Sequence, residues 1–389
     1  MGVLVVAIGW VIVIATAANV VFTLVLPRRP AGIERLSLVV NRTVRAVFAW
    51  LSRVAKTYEG KDALLAVTGP IALLGQLALW LGLFVVGYAF MVEPTTHGFS
   101  AAFIQSAVSL FSVGTAHAGG PPDQWVDIAA GATWAVVVAL QIAYLPALYD
   151  AFTKREALVA MLESRAGLPA WGPEILARHQ LVGIVDTLPS FYAQWEQWAA
   201  GVAESHTTYP VLLLFRSPEP WYSWLVGLLA VLDGAAMHLS LAPDSASSQA
   251  RLCIRMGFTA LNRIAKTLGW EIDPDPSPEG PITLTFEEFD QAVTMLADIG
   301  FPLERSAEEA WPEFRGWRVN YEAAAYRLAD RVIAPPAPWS GPRRHLRSGP
   351  VAPLRPPQRR PSEKLYARRP EPAQGATRKR SGLRSRRPS

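Results

Sequence analysis

Three runs of apolar residues, Val3 to Leu26, Ala63 to Val92 and Trp125 to Tyr149, restrict what this chain can fold into. A helix rising 1.5 Å per residue crosses about 30 Å of hydrocarbon in about 20 residues, and each run meets that length. Only Thr16, Asn19 and Thr23 interrupt the first. Ala15-Thr16-Ala17 has the small-x-small form of a signal cleavage site, but no basic segment precedes the run and the run continues past that point, so a retained transmembrane helix is expected. Trp80, Trp125 and Tyr149 are suited to anchor helix ends at the interface. The 51% hydrophobic content and the positive mean hydropathy of +0.19 agree with a membrane protein.

The first two runs are separated by a basic connection. Arg28, Arg29, Arg35, Arg42, Arg45, Arg53, Lys56 and Lys61 face only Glu34, Glu59 and Asp62 as opposing charges. By the positive-inside rule this connection is cytoplasmic and the N-terminus lies outside. Within it, Ile33, Leu36, Val40, Val44, Val47, Leu51 and Val54 recur at helical spacing, with the basic residues on another face. That pattern fits a helix lying in the membrane interface, or one packed on another protein surface. Lys154 and Arg155 mark the next cytoplasmic end, so a multi-pass protein of the cell membrane is expected, with Glu93 to Gln124 on its outer side.

That outer segment contains a short apolar stretch, Ser100 to Phe111, too short to span and therefore read as a re-entrant helix. It runs into Ser112, Val113, Gly114, Thr115, Ala116 and His117. Small residues there bring backbone carbonyls toward an ion, and the negative end of the preceding helix favours a cation. From Leu64 to Asp150 the chain resembles the two-transmembrane pore-loop potassium channels, whose filter reads Thr-Val-Gly-Tyr-Gly-Asp between a pore helix and an inner helix. On that pattern Ser112 stands for the threonine, Val113 and Gly114 agree, and Thr115, Ala116 and His117 depart from tyrosine, glycine and aspartate. The resemblance implies passive conduction of potassium or other monovalent cations by a homotetramer, with a degenerate filter. It also implies an inner helix that lines the cavity and bends, for which Thr133 and Gln141 are the lining candidates and Gly131 and Pro146 the flexible points.

From Lys154 to Val332 the apolar periodicity is helical, with no repeat and no alternating strand pattern. Trp221 to Ala242 is apolar enough to imitate a fourth span, but Asp233 at its centre would cost about 2.5 to 3.5 kcal/mol in lipid, so a buried core helix is expected. Asp273, Asp275, Ser277 and Glu279 imitate a calcium loop, yet Pro278 and Leu284 replace its glycine and final glutamate. His179 and Asp186 stand too far apart along a helix to share a metal, Asp233 and His238 fall on different faces, and His206 reads as a structural, hydrogen-bonded histidine.

Residues 341–389 carry 15 Lys/Arg against Glu363 and Glu371, a local balance of +13 in a chain of net +5. With so little to bury, this segment is expected to be disordered and held near anionic lipids of the inner leaflet; it lacks a folded nucleic-acid recognition motif. Cys253, the single cysteine, excludes an intrachain disulfide and a cysteine-based zinc site. No nucleophile elbow or phosphate-binding glycine loop points to an enzyme, and no cofactor or bound metal other than permeant cations is implied. The expected organisation is all-α: a transmembrane helix over 1–27, a cytoplasmic amphipathic helix within 28–62, a pore domain over 63–150, a cytosolic helical domain over 151–333 and a disordered basic tail over 334–389. A non-conducting membrane scaffold descended from a channel is the alternative, favoured by the departures at the filter.

Overall fold

The computed structural model describes residues 2–25, 35–96, 98–111 and 121–341. It is all-helical, 79% helix, with no strands among the described residues. Among the described residues twelve α-helices follow in order: α1 (Gly2–Leu24), α2 (Arg35–Leu51), α3 (Tyr58–Ala66), α4 (Thr68–Val92), α5 (Phe99–Leu110), α6 (Pro121–Ala166), α7 (Gly172–Val182), α8 (Leu188–Thr208), α9 (Trp224–Leu241), α10 (Ser248–Thr267), α11 (Phe286–Asp298) and α12 (Ala307–Val332). Four helical stretches among the described residues have the length and composition to cross a membrane, beginning at Gly2, Tyr58, Gln124 and Trp224.

α1 and α4 form an antiparallel pair. Their backbones meet at two glycines: a Cβ on Gly9 would stand 2.7 Å from the Gly87 carbonyl oxygen, and one on Gly87 would stand 2.8 Å from Val13. Small residues allow this approach, and close van der Waals contact replaces the hydrophobic drive that lipid does not supply. Further along, Trp80 donates its indole N–H to Asn19 Oδ1 at 2.8 Å, in a fully buried position. Trp80 is therefore no interfacial anchor, because its polar handle is spent on a polar residue of α1. Trp125 and Tyr149 do stand exposed near the ends of the third apolar run.

α2 lays Val40 and Val44 beside Gly75 of α4 and leaves Val39, Val47 and Trp50 exposed, as is Val54 just past its end. Its apolar surface thus divides between a protein-packed side and an open side. α6 is a single helix of 46 residues, roughly 69 Å long, joining the apolar bundle to the C-terminal helical unit. The two helical stretches expected around residue 150 are fused because nothing between Tyr149 and Lys154 breaks the helix.

In the C-terminal unit every residue of α9 is buried among α7, α8, α10 and α12. Asp233 at its centre forms an ion pair with Arg318 at 2.5 Å and accepts a hydrogen bond from the Tyr321 hydroxyl at 2.8 Å. The carboxylate is satisfied by protein, which is how so apolar a helix carries it. The folded segment also runs past its expected end: Ala334, Ala337 and Trp339 are buried, and the Trp339 carbonyl accepts from Arg318 Nη2 at 2.7 Å. Residues 334–341, counted in the sequence with the basic tail, thus pack with the C-terminal unit.

The two halves are joined by a wedge. Val211, Leu212 and Phe215 pack with Ala72 near the start of α4 and with Tyr144 and Leu148 in the middle of α6. Arg155, one of the two charges that close the third apolar run, is fully buried and donates to the carbonyls of Leu212 at 3.0 Å and Phe215 at 2.8 Å. Lys154 beside it is the surface charge, paired with Asp150 at 2.7 Å.

Candidate pore-helix site

α5 is built from a stripe and a turn. Gly98, at φ 106°, adopts the left-handed conformation that glycine takes without steric cost, and α5 starts directly after it. Along α5, Ala102, Gln105, Ser106, Ser109 and Leu110 are buried at helical spacing, while Phe99, Phe103 and Ile104 stay exposed. The helix packs against α4 and α6, with Ala102 among Ala89, Val92 and Val126. Three of the five buried positions are polar, which is unusual for a helix in an apolar bundle.

Asp127, near the start of α6, accounts for two of them. Ser109 donates to its Oδ1 at 2.6 Å, and the Gln105 amide reaches its two oxygens at 3.4 and 3.3 Å. The short Ser109 bond and the longer Gln105 contacts fasten the C-terminal half of α5 to α6. No motif in the sequence points to Asp127. Its only signal is that it is the one acid within the run from Trp125 to Tyr149.

The six residues expected to form a filter, Ser112, Val113, Gly114, Thr115, Ala116 and His117, lie outside the described residues, between the end of α5 and the start of α6. The four expected on the inner helix are all within α6 and do not converge. Thr133 donates to the Ala129 carbonyl at 2.8 Å and lies 2.7 Å from the Tyr88 hydroxyl, so it serves the contact with α4. Gln141 is buried and faces a cavity of about 30 Å³ shared with Thr23, Asn41, Gln76 and Trp80. That volume exceeds what one water needs, and both amide atoms of Gln76 and Oε1 of Gln141 have no protein partner. Gly131 is half-buried, and Pro146 stands on the open face of a helix that continues through it.

The remaining polar residues of the C-terminal unit are tied into its structure. His206 is fully buried, with Nδ1 3.0 Å from the Val202 carbonyl and Nε2 3.1 Å from Arg155 Nη1. Burial and the Arg155 charge push its pKa well down, so the neutral ring accepts from the guanidinium. His179 lies 2.7 Å from the Ile175 carbonyl. Asp273 accepts from the Asp275 amide at 3.0 Å in a simple turn. Among the described residues no group of three or more His, Cys, Asp or Glu is placed to hold a metal ion.

No protein-family model matches the chain, and neither a curated protein nor a solved structure matches it.

Proposed function

We propose that this chain is a pore-loop cation channel of the cell membrane, assembled as a homotetramer and passing potassium or other monovalent cations. The observation that carries this reading is α5: twelve residues, too short to span, lodged between two long apolar helices and fastened to Asp127. A helix of that kind has a use if its C-terminal end must be held in one place, and its C-terminal end leads into Ser112 to His117.

In this reading α1, α4 and α6 through Tyr149 cross the bilayer, with the N-terminus and α5 toward the outside. α2 and the turn after it lie along the cytoplasmic interface, where the exposed Val39, Val47, Trp50 and Val54 enter lipid beside Arg42 and Arg53. The C-terminal unit and the basic segment beyond it are cytoplasmic. The open face of α6 is the surface that a ring of copies would bury. It exposes Ala129, Ala132, Ala135, Ala139, Ala143 and Ala147 interleaved with the larger Trp125, Ile128, Val136 and Ile142, whereas α1 exposes chiefly bulky residues such as Val3, Leu4, Val11 and Ile14. Small side chains favour helix against helix, and large apolar ones suit lipid.

The filter should discriminate poorly. Gly114 keeps the backbone freedom a carbonyl filter needs, but at Ala116 a positive φ costs on the order of 1 kcal/mol. The test is the reversal potential of purified protein in planar bilayers under bi-ionic potassium and sodium, for the wild type and Ala116→Gly. Weak selectivity that sharpens in the variant is expected. No current from either protein would favour the non-conducting scaffold.

A further inference from the structure

Where α2, the start of α4 and the end of α12 come together there is a second cavity, of about 40 Å³, and its chemistry is one-sided. Three guanidinium groups line it, those of Arg45, Arg216 and Arg331, and no carboxylate does. Arg216 is consumed by the protein, since it pairs with Asp62 and donates to Tyr58 and to the carbonyls of Val332 and Ile333. Arg45 and Arg331 have no such partner among the described residues, and Arg45 Nε is buried with no acceptor. Burial, with Arg45 and Arg42 nearby, pushes the Arg331 pKa down to about 10.

Two hydroxyls complete the wall. Thr68 is 3% exposed and Ser217 8% exposed, and neither hydroxyl has a hydrogen-bond partner although both line the cavity. A buried donor left unmade costs free energy, and two cations drawn together in a half-buried site cost more. Four unpartnered donor groups around one cavity are what a tetrahedral oxyanion would satisfy, because its oxygens accept from guanidinium and hydroxyl alike.

We propose that this cavity binds a phosphate group through Arg45 and Arg331, with the hydroxyls of Thr68 and Ser217 as further donors. The phosphate can come from a phospholipid headgroup or from solution. The site requires nothing of the pore, and its occupant would tie α2, α4 and α12 together.

The test is thermal unfolding of the full chain, delipidated in a neutral detergent. Inorganic phosphate is titrated against chloride at matched ionic strength, and short-chain phosphatidic acid against the phosphate-free diacylglycerol with the same chains. A rise in Tm is expected with at least one phosphate-bearing probe: a response to the lipid alone assigns the headgroup, and a response to inorganic phosphate alone assigns a soluble anion. Arg331→Met and Arg45→Met should each weaken the apparent affinity by about tenfold or more, while Arg331→Lys keeps part of it. Neither should lower the Tm without ligand, since each removes a like-charge contact. Thr68→Val with Ser217→Ala tests the same site without touching charge, and should also weaken the response. No rise with either probe, or an equal rise in all the variants, would overturn the proposal.

Discussion

His238 shows how burial fixes the protonation of a single residue in the C-terminal unit. Its Nδ1 lies 3.4 Å from the Tyr192 hydroxyl and its ring meets the edge of Phe301. Burial lowers its pKa to about 4, with Glu304 pulling upward and His179 downward. Because the folded value lies below the unfolded one, the stability His238 contributes is fully present above about pH 6.5 and is lost as pH falls toward 4, on the order of 3 kcal/mol in all. Urea unfolding followed by tryptophan fluorescence should show the gap between wild type and His238→Gln closing over that window. A constant gap would mean that the imidazole titrates alike in the folded and unfolded states. Other residues are linked over distances that no sequence pattern reports. Trp80 and Asn19 stand 61 positions apart, and Arg155 serves carbonyls 57 and 60 positions away. Composition shows that a tryptophan is amphipathic, but not which element receives its N–H.

At the scale of elements much more was legible, because an apolar run of more than 20 residues has few solutions other than a helix with its polar backbone satisfied internally. The three runs, the short α5 and the core helix around Asp233 follow from length and from the cost of a charge. The division of α2 between a packed side and an open side does not follow, since one hydrophobic stripe describes lipid and protein equally well. The α1–α4 crossing can be tested as an element. Gly9→Ala sets a Cβ 2.7 Å from backbone oxygen and should cost about 1 to 3 kcal/mol, seen as a lower Tm in detergent. Gly82→Ala on α4 meets nothing within 4 Å and should be neutral, or stabilising by up to about 1 kcal/mol from helix propensity alone. Equal effects at the two sites would mean that the crossing is looser than it is drawn.

At the scale of the whole molecule, a single copy leaves α6 with two unlike sides. One side holds Val137, Gln141, Tyr144 and Leu148 against α1, α4 and the wedge, and the other presents the alanines together with Ile142 and Pro146. A ring of four copies would place the second side toward the shared axis, and a monomer in lipid would leave it there at little cost, so exposure alone does not choose between them. Cysteine chemistry does. Burial raises the pKa of the lone Cys253 thiol far above its usual range, so that thiol stays unreactive and an introduced cysteine reports by itself. Ala139→Cys, on the open face, should form an intermolecular disulfide under mild oxidation in membranes and appear as a dimer on a denaturing gel. Val137→Cys, 3% exposed and facing the bundle, should not. Native mass spectrometry of the uncrosslinked protein should give four chains. Crosslinking at both positions would indicate random collision, and monomers with no crosslink at Ala139 would remove the ring, and with it the pore.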